Sequence, residues 1–279
     1  MIRSRTESGE AKNRAKAPLR VDLAGAWTDI PEFSAEIPGA VCSFTISSFV
    51  EGDGKTFTQD LPSEAGLGSS AARFVVAAFL EDRTSARDIA LRAFLKERAT
   101  GALCGLQDHL AAAYGGFNFF TFEGMDFDVF KMPFPHFIAE QSLLVFTHSR
   151  VSSEVHSKVY AEFNHRKHLL SDLEKATRAV FDAFRTSDQD EIISSLKEAW
   201  QIQKSFAPES LQGVEEVLTF LEKRALFAKV CGAGGGGFVF AIFSSGQKPE
   251  EIGLEVIERG LGEFFLLPRF EPVGVRYEP

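Results

Sequence analysis

Leu61-Pro62-Ser63-Glu64-Ala65-Gly66-Leu67-Gly68-Ser69-Ser70-Ala71-Ala72 reads as a Gly- and Ser-rich loop opening straight into a helix. On the helix side, Ala71, Ala72, Val75, Val76, Phe79 and Leu80 recur on one face at helical period. On the loop side, Gly66 and Gly68 lack Cβ, so backbone N–H groups can turn toward a ligand and approach it closely. A helix N-terminus adds unpaired N–H groups and a partial positive charge, which suit phosphate. Ser69 and Ser70 then carry two readings: hydroxyls that bond a phosphate or ligate Mg²⁺, or plain helix caps. No Lys follows Gly68, so this is not the Walker loop. Charge for a phosphate here must come from backbone, metal and residues elsewhere.

Composition narrows the classes. The 279 residues suffice for two ordinary domains. Phe is abundant at 28 residues against 3 Tyr, so the aromatic weight fills a core rather than a binding surface. A net charge of −9 gives no broad electrostatic footprint for nucleic acid or an anionic membrane. The 3 Cys are far apart with no CxxC, which fits a reducing compartment and argues against a disulfide framework or a zinc site. Residues 1–16 are polar, read as a disordered lead-in and have no signal-peptide core; no apolar run spans a membrane, and the expected location is the cytoplasm.

Along the chain, Leu19, Val21 and Leu23 alternate with Arg20 and Asp22, the period of a half-buried strand. Arg20 and Asp22 share a face, and the plain reading is an ion pair on a solvated sheet surface. Gly25 ends the strand, with Thr28 and Asp29 on the loop beyond. Residues 40–46 form a second strand, and Asp53-Gly54 marks a hairpin. Ser85 with Asp88 caps a helix of roughly sixteen residues that Gly101 ends. Glu97 falls in its last turn, where a carboxylate opposes the helix dipole; that misfit favours a role in a site. Asp108 lies in the first turn of the next short helix, the favourable end. Paired strands follow at 117–122 and 127–131, then Pro133 and Pro135 mark a domain boundary. Beyond it come a strand at 142–147, one long amphipathic helix from Val155 to Phe184, and two more helices at 190–206 and 212–223. His165 and His168 on the long helix's polar side read as solvated.

A second Gly-rich run follows, Lys229-Val230-Cys231-Gly232-Ala233-Gly234-Gly235-Gly236-Gly237-Phe238. Its five Gly in six residues stand between strand-like runs, which reads as an approach surface for a ligand rather than a linker. The chain closes with one helix and strand-like runs at 264–267 and 273–277.

Three stretches, 17–29, 62–72 and 229–238, resemble in order and position the three motifs of the GHMP kinases. The sugar-kinase branch fits best. Ala17, Pro18, Arg20, Gly25, Thr28 and Asp29 match its first motif, and Gly25-Ala26-Trp27-Thr28-Asp29-Ile30-Pro31 is similar to the fucokinase form. Gly105-Leu106-Gln107-Asp108-His109 with residues 111–118 resembles the corresponding run of heptose-phosphate kinases, as does Thr147-His148-Ser149-Arg150-Val151-Ser152-Ser153.

The resemblance implies an ATP- and Mg²⁺-dependent kinase acting on the anomeric hydroxyl of a sugar or sugar phosphate, heptose 7-phosphate- or fucose-like. It implies Asp108 as catalytic base or orienter and Arg20 as its partner at the transferring phosphate. Pro62, Gly66, Leu67, Gly68, Ser69, Ser70 and Ala71 would bind the nucleotide, with Ser70 and Glu97 on the metal. Thr28, Asp29, Gly234, Gly235 and Gly236 would face the acceptor. The implied fold is α+β: residues 17–141 like domain 2 of ribosomal protein S5, residues 142–279 ferredoxin-like, with the active site between them. The expected partners are small molecules, with no nucleic acid or membrane, in a monomer or homodimer. The stretch 39–60 is shorter than the family's, and Leu106 stands where Lys is usual. These departures leave open a kinase for a non-sugar alcohol and a non-catalytic ligand-binding module.

Overall fold

The structure, a computed structural model, describes residues 14–149 and 152–278. Residues 1–13 of the expected lead-in, and Arg150 and Val151 of the run at 147–153, lie outside them. Ala15 and Lys16, placed in the lead-in from sequence, already belong to β1 (Ala15–Ala24), where they pair with the far end of the chain.

After β1 come the short α1 (Pro31–Ser34), then β2 (Gly39–Gly52) and β3 (Phe57–Gln59), joined by the Asp53-Gly54 turn. The Asp53 carboxylate accepts the N–H groups of Lys55 (2.8 Å) and Thr56 (2.7 Å), which fixes that turn. Three helices follow: α2 (Ser69–Glu81), α3 (Ala86–Ala99) capped by Ser85, and α4 (Gln107–Tyr114). The hairpin β4 (Phe117–Glu123) and β5 (Asp126–Met132) leads through α5 (His136–Gln141) to β6 (Ser142–Phe146).

The expected single long helix is instead two, α6 (Ser152–Arg166) and α7 (His168–Thr186), broken at Lys167. α6 and the start of α7, through Leu170, serve the smaller of two cores, while the rest of α7 serves the larger one. On α6, Phe163 stacks on Phe33 at 4.0 Å; on α7, Phe181 stacks on Phe119 at 4.3 Å and Phe184 meets Phe117 edge-on at 4.9 Å. One straight rod cannot reach both. Next are α8 (Gln189–Phe206), a 3₁₀ turn (Pro208–Leu211) and α9 (Glu215–Glu222). β7 (Phe227–Val230), β8 (Phe238–Ile242), α10 (Pro249–Glu258), β9 (Phe264–Leu266) and β10 (Arg276–Tyr277) complete the chain.

The strands form two antiparallel sheets. The first runs β10-β1-β2-β4-β5, with β3 also on β2. The second runs β7-β8-β6-β9, the strand order of a ferredoxin-like sheet. The fold is α+β, as read from sequence. Its two halves are not separate along the chain, because β10, inside the expected domain 142–279, joins the first sheet beside β1. The main core is likewise continuous: Phe44 on β2 meets Phe240 on β8 edge-on at 5.9 Å. A smaller core of Trp27, Ile30, Phe33, Val159, Phe163 and Phe206 lies beneath the turn after β1 and positions that turn.

Candidate active site

One cleft gathers residues from both halves: Arg20 and Asp29 from around β1, the loop before α2, the α3–α4 connection, and from the second half His156, Gly232 and Ala233. Its floor is β1. Arg20 is 4 % exposed and Asp22 0 %, so the solvated-surface reading of this pair is overturned; β1 is covered on the face that carries them.

Arg20 ties the floor to the loop. Its Nε donates to Asp108 Oδ1 (2.7 Å), its Nη1 donates to the Gly66 carbonyl (2.5 Å), and its backbone N–H donates to Leu67 O (3.0 Å). Burial alone would lower the Arg20 pKa, but Asp108 and Asp22 outweigh it and carry the pKa above the usual guanidinium value. Arg20 is therefore a fixed cation at the mouth of the loop.

The loop begins α2 without side-chain capping. Gly68 is the N-cap, at φ +75°, and neither serine bonds back to the helix start. The plain capping reading of Ser69 and Ser70 is thus overturned. A left-handed residue in contact distance of Arg20 and Asp108 favours glycine at 68. The first N–H groups of α2 have no intrahelical acceptor. Gly66, Gly68, Ser69, Ser70 and Ala71 line the cleft. Pro62 does not, and Leu67 is buried in the core, 1 % exposed.

Ser70 donates a short hydrogen bond to Glu97 Oε1. Glu97 is buried, and its Oε2 lies 2.7 Å from His109 Nε2. Burial pushes the Glu97 pKa up, but the adjacent His109 ring and the Ser70 hydroxyl more than reverse it, so the carboxylate stays ionised. The last-turn misfit seen in sequence is this contact.

Asp29 spans the α4 start: its Oδ2 accepts the Gln107 N–H at 3.0 Å. Burial pushes its carboxyl up to about 6, with Gln107 opposing and Asp108 adding to the rise. Gly105 fits only as glycine, since a Cβ there would stand 1.9 Å from Asp29 Oδ2. Thr28, expected at the acceptor, points elsewhere. Its hydroxyl lies 2.7 and 2.8 Å from the Gly25 and Ala40 carbonyls and accepts the Ala40 N–H at 3.0 Å. It pins the turn after β1 to the start of β2 and is 1 % exposed.

The second Gly-rich run also differs from expectation. Gly232 lines the cleft, but Gly235 donates its N–H to Ser210 O (2.7 Å), Gly234 packs on Ser210, and Gly236 packs on His148. At Gly237 a Cβ would stand 2.4 Å from Ala65 O, and at Gly66 one would stand 2.3 Å from Cys231 O. The two Gly-rich loops therefore pack backbone on backbone at Gly66, Gly232 and Gly237, whereas the glycines of 234–236 seat against Ser210 and His148 and do not line the cleft.

Several residues of the site carried no role in the sequence reading. Lys229 is fully buried; its Nζ donates a short bond to Asp22 Oδ2 and a 2.8 Å bond to Asp22 O. Asp22 Oδ1 accepts the Gly232 N–H at 2.8 Å. A lone Lys inside the apolar strand Phe227–Val230 was the available signal, since a buried ammonium demands a carboxylate. Trp27, at φ +82°, meets His156 edge-on at 5.2 Å and walls the cleft with it. His109 and Cys104 complete the wall behind Glu97.

A family model described as GHMP kinases C terminal matches residues 180–261. The bifunctional fucokinase/GDP-fucose pyrophosphorylase of Arabidopsis thaliana is 24 % identical over 86 % of this chain; the chain spans 31 % of that relative's length. Among solved structures, a D-glycero-D-manno-heptose 1-phosphate kinase from Bacteriodes thetaiotaomicron superposes with a TM-score of 0.71 at 18 % identity, covering 95 % of this chain and 98 % of that one. L. major mevalonate kinase in complex with R-mevalonate gives 0.72 at 14 % identity, covering 95 % and 97 %. Lactococcus lactis galactokinase complexed with galactose gives 0.71 at 12 % identity, covering 97 % and 96 %. Sugar and mevalonate kinases superpose equally well, so the fold alone does not select the acceptor. Among the described residues, no helix is long and apolar enough to cross a membrane.

Proposed function

We propose that this chain, which has the GHMP kinase fold and resembles its sugar-kinase branch, transfers the γ-phosphoryl group of ATP to the anomeric hydroxyl of a sugar. The observation that carries the proposal is the Arg20–Asp108 pair, held at 2.7 Å beside the N-terminus of α2 in a cleft shared by both halves. Phosphoryl transfer is mainly positioning and charge stabilisation. It needs a phosphate cradle, a fixed cation at the γ-phosphate and a carboxylate at the nucleophile.

The chain supplies each. The loop around Gly66 and Gly68 and the first N–H groups of α2 fit a polyphosphate. Ser70 and Glu97, already in contact with all-oxygen donors, fit Mg²⁺, which when bound neutralises charge on the phosphates. Asp108, with its side chain 28 % exposed, faces the cleft to accept the hydroxyl proton or orient it. Arg20 keeps Asp108 oriented and holds positive charge where the transferring group passes. Asp29 and the Trp27–His156 wall take the acceptor, Asp29 by accepting sugar hydroxyls and Trp27 by stacking on a ring face. The similarity to a fucokinase supports a sugar acceptor.

The test is ADP release with Mg·ATP across free sugars, sugar phosphates, mevalonate and homoserine. Turnover with a free or phosphorylated sugar is expected. ADP at the acceptor-free rate with all of them would sink the reading. A melting temperature raised by Mg·ATP without turnover would instead mark a binding module.

A further inference from the structure

The Glu97 carboxylate has two faces. Oε1 accepts from Ser70, toward the cradle. Oε2 contacts His109, and ligand atoms, one each from Glu97, Cys104 and His109, lie within 4.8 Å of one another. His109 is 0 % exposed, and neither ring nitrogen has a hydrogen-bond partner. Its Nε2 stands 2.7 Å from Glu97 Oε2, an ion-pair contact that lacks hydrogen-bond alignment, while Nδ1 has no such contact. A buried imidazole with one ring nitrogen unmatched and the other poorly aligned is costly.

We propose that Glu97 Oε2, Cys104 Sγ and His109 form a site for a borderline-soft divalent cation of the zinc or cobalt class, back to back with the oxygen-only position at Ser70 and Glu97 Oε1. One thiolate, one imidazole and one carboxylate make a donor set that zinc takes and Mg²⁺ avoids. Bonds of about 2.0–2.3 Å around a tetrahedral centre put ligand atoms roughly 3.3–3.7 Å apart. To reach that spacing the Nε2–Oε2 contact opens by about 0.6 Å and Sγ, now within 4.8 Å of the other two ligand atoms, draws in on binding. The cation replaces the thiol proton of Cys104, which leaves to solvent.

The backbone favours the set. Glu97 ends α3, His109 begins α4, and Cys104 lies on the connection between them. That connection is held by the Leu106 N–H to Asp29 O bond (3.2 Å) and by the close seat of Gly105 on Asp29. All three residues line the cleft, so a fourth position stays open to water or substrate, the layout of a site that acts on a ligand rather than a closed structural one. Sequence alone pointed away from this site, because its single Cys has no CxxC partner.

The test uses the full chain freed of metal by chelator and titrated with Co²⁺ alone, with no nucleotide or sugar. One equivalent should bring up a thiolate-to-cobalt charge-transfer band and the absorption of a tetrahedral centre, both removed by Zn²⁺. In Cys104→Ser the charge-transfer band should vanish. In His109→Gln the Co²⁺ affinity should fall about tenfold or more. Melting curves in the same buffer establish that both variants fold. No charge-transfer band in the unmodified protein would overturn the site, and so would an unchanged band and affinity in Cys104→Ser. The proposal stands apart from the kinase reading: cobalt binding without phosphoryl transfer removes only the kinase, and transfer without the cobalt spectrum removes only this site.

Discussion

Arg20 and Asp22 stand on one face of β1, and each is tied to an opposite charge from another element. Arg20 meets Asp108 of α4 at the cleft, where Asp108 keeps 28 % of its side chain exposed. Asp22 meets Lys229 of β7 with both side chains at 0 %. The first pair has solvent on one side, and Arg20 also donates to the Gly66 carbonyl of the loop before α2. The second is saturated: the Asp22 carboxylate takes Lys229 and the Gly232 N–H, and Lys229 also takes the Asp22 carbonyl. The two differ in what a ligand can still reach. A charged pair at a cleft is available for chemistry, whereas one sealed between two sheets fixes how the Gly-rich loop of 232–237 meets the loop before α2. Arg20 Nη1 lies 3.6 Å from Asp22 Oδ1, so the sealed pair also steadies the open one.

Breaking the open pair should give the largest effect. Asp108→Asn keeps the size of the side chain but removes its proton-accepting charge. We expect kcat to fall by about two to four decades with little change in either KM. Stability should change by about 1 kcal/mol or less, because Arg20 retains Asp22 and the lost contribution is that of a carboxylate at a helix N-terminus. Steady-state kinetics beside a melting curve decide it; a near-normal kcat would leave the mechanism without its carboxylate.

Breaking the sealed pair should show as stability. Lys229→Met leaves the Asp22 carboxylate, in a site with no exposure, with only the Gly232 N–H and Arg20 at 3.6 Å, at a cost of up to about 3–5 kcal/mol in denaturant unfolding. Replacing both partners, Lys229→Met with Asp22→Leu, should recover part of that loss, since an apolar pair needs no desolvation. A single variant as stable as the parent would mean that water reaches the pair.

Asp29 sharpens the contrast, being buried yet on the cleft. Its carboxyl rises from 3.8 to about 6 in the folded chain, first through burial. A raised pKa means that the folded state holds the proton more tightly. The resulting stabilisation is complete below about pH 4, the unfolded value, and is lost as pH climbs through about 6. A rise from 3.8 to about 6 corresponds to about 3 kcal/mol. Asp29→Asn should flatten that part of the stability profile. In the parent, acceptor KM should rise as pH falls below about 6, and the substitution should remove this dependence. An unchanged pH profile of stability in Asp29→Asn would assign the slope to another group.

Much of this was legible in the sequence because glycine placement and periodicity are local. The two Gly-rich runs, the alternation of β1 and the helical period after Ser70 are local signals; the family resemblance they carry implied an α+β fold with Arg20, Ser70, Glu97 and Asp108 at one site, and all four line one cleft. Contacts between distant segments were not legible. Nothing near Lys229 in the chain names Asp22 as its partner. The glycines of 234–236 read as a ligand surface because glycine looks the same whether it makes room for a ligand or for another backbone. The break at Lys167 depends on two cores that only the assembled fold contains.

Thr28 gives the smallest effect and the most direct check of such a misreading. Motif resemblance puts it at the acceptor beside Asp29, but its hydroxyl is consumed by Gly25 and Ala40 and is shut from the cleft. Thr28→Val preserves the shape and leaves the Ala40 N–H without this acceptor. A lost buried hydrogen bond of this kind costs about 1–2 kcal/mol. Acceptor KM should stay within about twofold of the parent, because the one hydroxyl proton is held between two carbonyls, the oxygen accepts the Ala40 N–H, and the group is shut from the cleft. Urea unfolding and acceptor kinetics on the same preparation separate the two roles. If KM rises about tenfold, equivalent to about 1.4 kcal/mol of lost binding, while the unfolding midpoint holds, Thr28 turns toward the sugar when the acceptor binds. The turn after β1 would then belong with the open pair rather than the sealed one.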